Sequence, residues 1–365
     1  MSEFIFIPLW VLFFTMISEL PMFQERMWVL SKERTRNTFL FAFAAFLPII
    51  WFAGHRGYIG DTGAYIEAFN AMPEHASELN DYFDTITKDP GYYVLASLFK
   101  VFINSDPTTW FSFLAFMQGL ILVITFRKYS SKYMTSVFLF VASADYISWM
   151  YNGVRQFTAV TLIFLGTGFF IEKKYIQSIG IILIAALFHQ SALLMIPFMI
   201  ISQGKAFNKK TYIYILLVIL AIVFVDQFTD FLNDSLATTQ YKNVINDYQN
   251  FNDNGTNPIR VLVYSIPTIL SFLGRAQIND YYDPLIHFCV NASLISTGLY
   301  LVSMVTSGVY IGRLPIYVSL YGYILLPWLI DNIFEYHTGK IINRVMFMFY
   351  LVFYFYQMHI SWHMF

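Results

Sequence analysis

The segment that decides the topology of this chain is residues 175–202, YIQSIGIILIAALFHQSALLMIPFMIIS. It is apolar on both sides of a polar group, and basic residues flank both of its ends: Lys173, Lys174, Lys205, Lys209 and Lys210. Because basic residues in short loops favour the cytoplasmic side of a membrane, both ends are expected on one face. A helix of this length, roughly 42 Å, is too short to cross twice.

We therefore interpret residues 175–203 as a re-entrant helical hairpin, broken where its halves meet at FHQSA, Phe188–Ala192. Non-helical backbone at that depth is tolerated against protein or a water-filled cavity. The alternative is one long tilted helix, which would reverse the side of every later loop.

The composition is that of a polytopic helical membrane protein. Of the 365 residues, 57% are hydrophobic and only 12% are charged, and apolar windows of about 20 residues suffice to cross the hydrocarbon. We predict an all-α transmembrane domain over residues 1–365 with about ten spans and the re-entrant segment. The predicted spans are Phe4–Phe23, Thr38–Gly54, Thr108–Phe126, Tyr133–Met150, Gly153–Ile171, Thr211–Phe228, Pro258–Leu273, Pro284–Val305, Leu314–Ile333 and Asn343–Ile360.

Sorting the loops by their basic residues collects the polar candidates on one face. With the re-entrant segment in place, most of the 22 Lys and Arg residues lie in cytoplasmic loops. The external face then receives the loop 55–106, with a short helix after Asp61 and an amphipathic one over Gly91–Phe102, and the loop 229–257. It also receives Arg56, Arg155, Arg260, Arg313 and the break at His189. Under the single-helix alternative, Arg260 and Arg313 would be cytoplasmic.

Several function classes are excluded or disfavoured by the same inventory. The net charge of −1 gives no basis for a nucleic-acid partner. The one cysteine, Cys289, lies in an apolar run and is expected to pack in the core, and clusters with metal-ligand spacing are absent from the sequence. Nucleotide-binding loops and the common hydrolase motifs are also absent.

A polar group follows the second predicted span, in the stretch FAGHRGYIGDTGAYIEAF, residues 52–69. Asp61 is placed to cap a short helix. Tyr65 and Phe69 follow it at helical spacing, so that a carboxylate beside an aromatic surface would suit a sugar ring. The pattern is equally consistent with a plain helix cap and with an Arg56 that only reaches the lipid headgroups.

Two further candidates lie at the start of a span and at the predicted break. YNGVRQ places Asn152, Arg155 and Gln156 together. An arginine at the bilayer centre costs about 3 kcal/mol, so Arg155 could simply reach the headgroups, but the adjoining Asn and Gln favour a polar cavity. His189 has apolar neighbours on both sides and could transfer a proton near neutral pH. The alternative for His189 is a structural bond to a carbonyl of the break.

Two arginines complete the external set. Arg313 lies in TSGVYIGRLPIY and Arg260 in NGTNPIRVLVY, and the planar guanidinium suits phosphate. Arg260 could equally anchor the end of its helix. Asp145, in the outer part of its span, is expected to pair with an arginine.

Four blocks occur in a fixed order along the chain: R…GD…Y…F (Arg56, Gly60, Asp61, Tyr65, Phe69), DPGYYVLASLFK (Asp89–Lys100), NGVRQFTAV (Asn152–Val160) and FHQSALLMIPF (Phe188–Phe198). Together they resemble the EpsG-type, Wzy-like exopolysaccharide polymerases of bacteria. One departure is that Gly60 and Asp61 are adjacent, where the family usually has a residue between them.

The resemblance implies a GT-C-like or O-antigen-polymerase-like fold in the bacterial plasma membrane, with the active site facing outside. It implies polymerisation of undecaprenyl-diphosphate-linked repeat units into exopolysaccharide or capsule, without cofactor or metal. A flippase and a chain-length regulator are possible protein partners. The residues expected to bind substrate are Arg56, Arg155, Gln156, Asn152, Tyr65, Arg313 and Arg260, and His189 or Asp61 is expected to act as base in an inverting transfer.

Three alternatives stay open at this point. A ligase would move a finished glycan from the same lipid donor to another acceptor, and nothing in the sequence separates it from a polymerase. A flippase or exporter would also expose arginines to a lipid diphosphate, but it should carry charges along a path to both faces. A membrane O-acyltransferase is a more remote alternative.

Overall fold

The computed structural model describes residues 2–236 and 254–364. The chain is mostly helical (77%). It forms two compact units, one of Met1–Leu193 with Phe334–Phe365 and the other of Leu194–Ile333. Of the predicted loop 229–257, residues 229–236 continue a helix, and residues 237–253 lie outside the described part.

The helices of the first unit are α1 (Glu3–Ile17), α2 (Phe39–Gly54), α3 (Thr62–Asn70), α4 (Leu79–Thr85), α5 (Pro90–Phe102), α6 (Pro107–Tyr129), α7 (Tyr133–Ala142), α8 (Val154–Leu165), α9 (Thr167–Ile171) and α10 (Tyr175–Phe188). The second unit contains α11 (Met195–Ser202), α12 (Lys209–Val223), α13 (Val225–Leu236), α14 (Pro258–Leu273), α15 (Arg275–Asp280), α16 (Pro284–Val305) and α17 (Ile316–Ile333). The chain then returns to the first unit with α18 (Tyr336–Ile360).

A β-hairpin between α1 and α2 corrects the all-α prediction. Its strands, β1 (Gln24–Val29) and β2 (Lys32–Asn37), are antiparallel. They are joined by two residues with positive φ, Leu30 at 51° and Ser31 at 63°, which is the geometry that a two-residue hairpin turn requires. Arg127 of α6 binds the hairpin by donating from Nε to the Asn37 carbonyl at 2.7 Å and by pairing with Glu25. The predicted first basic loop is therefore a short sheet fixed to the end of α6.

Fewer helices than the sequence predicts have the length and hydropathy of a membrane span. Four helices of the described residues are long and apolar enough to cross a membrane, namely α6, α16, α17 and α18, or five if the bent pair α12 and α13 is one span. Seven shorter apolar helices account for most of the other predicted spans. The prediction of about ten spans is therefore not confirmed.

Two predicted spans are interrupted by changes in backbone conformation. The span expected over Tyr133–Met150 stops at Ala142, because Ala144 adopts a left-handed φ of 58° and a π-helical turn follows over Tyr146–Asn152. The span expected over Thr211–Phe228 bends by 100° between α12 and α13. Residues Asp226, Asp230 and Asp234, one turn apart and exposed on α13, give that helix a polar face that favours water over hydrocarbon.

The predicted break in residues 175–203 occurs at the expected position. Helix α10 ends at Phe188, His189 is extended with φ −159° and ψ 118°, and a 3₁₀ turn follows over Gln190–Leu194. That both ends of this segment lie on one face of the membrane stays a prediction.

Helices α3 and α5 have the predicted positions and pack on α6 through an aromatic core. The Trp110 ring of α6 stacks on Phe69 at 6.1 Å and contacts Phe99 at 5.2 Å between centroids. Its indole nitrogen donates to the Tyr92 hydroxyl at 3.3 Å. All four side chains are buried, so the loop region after α2 is a packed part of the unit.

Lys100 of α5 is a buried charge that caps the C-terminal end of α3. Its Nζ donates to the carbonyls of Asn70 at 2.8 Å and Met72 at 2.6 Å, while the residue is only 6% exposed. A cation at a helix C-terminus binds carbonyls that lack partners in the helix and complements the helix dipole.

We expect Lys100→Met to destabilise the protein by about 2 kcal/mol, because the substitution removes the donor of the buried Met72 carbonyl and of the part-buried Asn70 carbonyl. The measurement is the unfolding free energy of the purified protein in detergent. Lys209→Met, at an exposed lysine at the start of α12, is the matched control and should change the unfolding free energy little. Equal stability of the two variants would contradict the capping role.

Candidate functional site

The loop between α2 and α3 is fastened to the π-helical turn at Gly60. The Asp61 backbone N–H donates to Asn152 Oδ1 at 2.8 Å. Gly60 has a φ of +53°, and a Cβ at this position would lie 2.3 Å from the same Asn152 oxygen. Only glycine satisfies both the left-handed backbone and the close approach. The GD and NGVRQ blocks of the sequence therefore meet in space.

Arg56 turns inward from this loop. Its Nη1 donates to the Met150 carbonyl in the π-helical turn, and its guanidinium carbon lies 4.0 Å from the centre of the Phe111 ring. Burial lowers the pKa of the Arg56 guanidinium to about 10, partly opposed by neighbouring tyrosine hydroxyls. The group therefore stays cationic at neutral pH, and the contact with the ring is a cation–π interaction.

Arg155, at the start of α8, forms the central ion pair of the unit. Its Nη1 lies 2.8 Å from Asp89 Oδ2 and donates to the Tyr93 hydroxyl at 3.3 Å. The guanidinium also lies 5.9 Å from the Tyr65 ring and 5.7 Å from the Tyr93 ring. The Arg155 side chain is 23% exposed and the Asp89 side chain 0%, so any solvent contact of the pair is through the arginine.

Asp89 holds its position by an unusual backbone conformation. It is left-handed, with φ 48° and ψ 52°, directly before Pro90 at the start of α5. Its side chain makes no cap hydrogen bond to α5. The carboxylate is therefore available to pair with Arg155. Burial raises the pKa of the Asp89 carboxyl above its ordinary value, while the Arg155 guanidinium and Lys88 oppose that rise.

The break after α10 adjoins the same group. A Cβ on Gly91, two residues after Asp89, would lie 2.8 Å from Leu187 Cβ, so the start of α5 packs against the last turn of α10. The His189 ring follows two residues later, and its Nδ1 lies 2.7 Å from the Ser191 hydroxyl. The histidine is half-buried. The partner of Nδ1 is this hydroxyl, whereas the structural alternative for His189 predicted a carbonyl of the break.

Two buried N–H groups in this region lack an acceptor. The Nε atoms of Arg56 and Arg155 are inaccessible to solvent and have no hydrogen-bond partner among the described residues. A buried unpaired donor on a charged group costs free energy. The arrangement of two guanidinium groups with spare donors is suited to an anion with several oxygens.

Several residues predicted for the site lie close together in the first unit, and the other predicted residues have different surroundings. Arg56, Asp61, Tyr65, Asn152 and Arg155 are linked by the contacts above, with His189 beside them. Gln156 is buried at 5% exposure.

Two predictions about the loop at Asp61 are wrong. Asp61 precedes α3 but makes no side-chain cap hydrogen bond, and its carboxylate is exposed. Phe69 is 1% exposed and belongs to the core around Trp110, so it cannot offer a surface to a sugar.

Asp89 belongs to this group of polar residues but is not among the site residues that the sequence predicts. The sequence assigns the carboxylate partner of an arginine to Asp145, whereas Arg155 pairs with Asp89, and Asp145 is itself fully buried. The available signal is the DP pair at the start of a helix, since an Asp before Pro is held away from the α conformation. That signal marks a helix start and does not reveal the partner.

Arg260 and Arg313 lie in the second unit, where their two segments meet. The backbone N–H of Thr256 donates to the Ser303 carbonyl at 3.0 Å, and the hydroxyls of the same two residues are 2.8 Å apart. A Cβ on Gly312 would lie 2.5 Å from Thr256 Oγ1. Arg260 follows this contact by one helical turn, and its guanidinium lies 5.5 Å from the Tyr264 ring.

The two ends of the second unit differ in the residues that they gather. Helix α16 begins beside the loop of Lys205, where the Ala206 N–H donates to His287 Nδ1 at 3.1 Å. Its last turn, at Ser303, lies beside the segment of Arg260 and Arg313. Within this unit, the predicted cytoplasmic lysines and the predicted external arginines therefore lie near opposite ends of one long apolar helix.

The long apolar helices and the arginine groups at helix ends define an integral membrane protein with a candidate anion site. In residues 2–236 and 254–364, His, Cys, Asp and Glu form no group of three that could hold a metal ion.

A sequence model of the EpsG family matches residues 39–363. The chain therefore belongs to the EpsG family, which indicates a role of the exopolysaccharide polymerase type. Neither the curated proteins nor the solved structures that were searched gave a match.

We expect Gly60→Ala to release the loop from the π-helical turn, because the added methyl group would overlap with Asn152 and strain the backbone. Limited trypsin digestion after Arg56, which the fastened loop shields, should become several times faster. Gly57→Ala is the matched control, since nothing lies within 4 Å of a Cβ there. Equal cleavage in both variants would show that the contact does not hold the loop.

Proposed function

We propose that the chain polymerises undecaprenyl-diphosphate-linked oligosaccharide repeat units into exopolysaccharide on the outer face of the bacterial plasma membrane. The observation that carries the proposal is the pair of guanidinium groups, Arg56 and Arg155, whose buried Nε–H donors have no acceptor among the described residues. A diphosphate supplies several anionic oxygens, which guanidinium groups bind well. Membership of the EpsG family supports the same substrate class.

In the proposed reaction, an acceptor hydroxyl oxygen attacks the anomeric carbon of the lipid-linked sugar. The bond from that carbon to the diphosphate oxygen breaks, and the lipid diphosphate leaves with the bonding electrons. The arginines stabilise the charge that develops on the leaving oxygen, which is the part that a metal ion plays in other enzymes. A single displacement of this kind inverts the anomeric configuration.

The hydroxyl proton passes to a base, for which His189 and Asp61 are the two candidates. His189 can donate from Nδ1 to Ser191, which leaves Nε2 as the basic nitrogen. Asp61 has an exposed carboxylate that is not occupied as a helix cap. Asn152, Tyr65 and Gln156 help to shape the site.

The first experiment incubates purified protein with lipid-linked repeat units and follows polymer length. We expect Arg155→Ala to lower the turnover by at least about 100-fold, as for the loss of one preorganised donor to a developing oxyanion. Arg155→Lys should recover little of it, because an ammonium lacks the planar fork. Arg344→Ala, at a basic residue of α18 predicted to be cytoplasmic, is the control.

The outcomes of this assay separate the function classes. Normal polymer from Arg155→Ala would contradict the site. Lipid-linked units that wild-type protein leaves chemically unchanged would contradict polymerisation and favour transport. Transfer of the glycan to another acceptor without elongation would favour a ligase.

A second experiment identifies the base from the pH dependence of kcat. A histidine base places the rise of the rate between pH 5 and 8, whereas a carboxylate base places it lower. We expect the variant that removes the true base, His189→Gln or Asp61→Asn, to lose this rise together with at least about 100-fold of kcat. If both variants keep the wild-type profile, neither residue is the base.

A further inference from the structure

Tyr58 presents an exposed aromatic ring within the loop that carries Arg56 and Asp61. The residue is 83% exposed, more than any other aromatic residue among the described residues. Exposure of a large aromatic side chain costs free energy unless something covers the ring, so a ring of this kind often marks a binding surface. The core of the unit does not use it.

The ring is nevertheless held in a defined place. A Cβ built on Gly63, in the first turn of α3, would lie 3.7 Å from Tyr58 Cδ1 and 3.8 Å from Cε1. One edge of the ring therefore lies beside the first turn of α3, separated from it by about the space of a methyl group. A side chain at residue 63 larger than glycine would occupy the space beside this edge.

The exposed carboxylate of Asp61 lies in the same short segment, two residues before Gly63. Its oxygens are not occupied by the helix start, and its backbone is fixed by the hydrogen bond to Asn152. The left-handed Gly60 between Tyr58 and Asp61 limits the conformations that the loop can adopt. The ring and the carboxylate thus belong to one loop, whose backbone is fixed.

We propose that Tyr58 and Asp61 form a subsite for one sugar ring of the growing polymer. A pyranose has an apolar face of C–H groups that stacks on an aromatic ring, and hydroxyls at its rim that donate to a carboxylate. This inference rests on the proposed function and adds to it a place for the acceptor chain. It replaces the predicted aromatic surface of Phe69 by a ring that the sequence does not single out.

The subsite is tested first by binding, without catalysis. The probe is the oligosaccharide mixture from partial hydrolysis of the polymer made by the cells, titrated into purified protein in lipid nanodiscs. We expect Tyr58→Ala to weaken binding about tenfold, and Tyr58→Phe, which keeps the ring, to stay within about twofold of wild type.

The matched control is Tyr336→Ala. Tyr336 is also an exposed tyrosine of the first unit, at 71%, and lies at the start of α18. It should leave the affinity unchanged. Wild-type affinity in Tyr58→Ala, or no binding of the mixture to wild-type protein, would overturn the subsite and leave Tyr58 as an anchor in the lipid headgroups.

A kinetic experiment distinguishes a failure of this inference from a failure of the proposed function. It also distinguishes binding of the acceptor sugar from binding of the donor sugar. With lipid-linked units and oligosaccharide acceptor, Tyr58→Ala should raise the KM for the acceptor about tenfold, with kcat near wild type and shorter products. A raised KM for the lipid-linked unit would assign the sugar to the donor instead. Polymerisation that depends on Arg155 but not on Tyr58 would overturn the subsite alone. Tyr58-dependent oligosaccharide binding without any polymerisation would overturn the proposed function alone.

Discussion

The ion pair between Arg155 and Asp89 is the interaction on which the rest of the site depends. It joins the start of α8 to the start of α5, and the packing of Gly91 on Leu187 brings the break after α10 to the same place. Removing two charges from water costs several kcal/mol per ion, and a short, well-hydrogen-bonded contact offsets that cost. The Tyr93 hydroxyl and the two flanking rings supply part of this compensation.

Around this pair, the backbone sets the positions of the other polar groups. The π-helical turn over Tyr146–Asn152 offers the Met150 carbonyl to Arg56 and the Asn152 side chain to the loop. A π-helical turn is less favourable than an α-helix and is often found at functional sites. The left-handed conformation of Asp89 is a local cost of the same kind. The surrounding aromatic core compensates for them.

The sequence predicts those parts of the structure that follow from local chemistry. Apolar periodicity predicted helices such as α5 and α6. The basic residues at both ends of residues 175–202, together with the length of that segment, predicted a break at FHQSA. The β-hairpin was missed because its residues are charged and the positive φ values of Leu30 and Ser31 leave no clear trace in an LS pair. The partner of Arg155 was missed because long-range pairing depends on packing, and no local rule distinguishes Asp89 from Asp145.

The charges of the first unit bear on how a diphosphate would be held. The diphosphate between a lipid and a sugar carries two negative charges, whereas Arg56 and Arg155 with Asp89 ionised amount to a single net positive charge. Further positive charge can come from the ion pair itself. Burial already raises the pKa of Asp89, so an incoming anion that competes for Arg155 would favour protonation of the carboxyl and free the guanidinium. With Asp89 protonated, Arg56 and Arg155 together would match the two negative charges of the diphosphate.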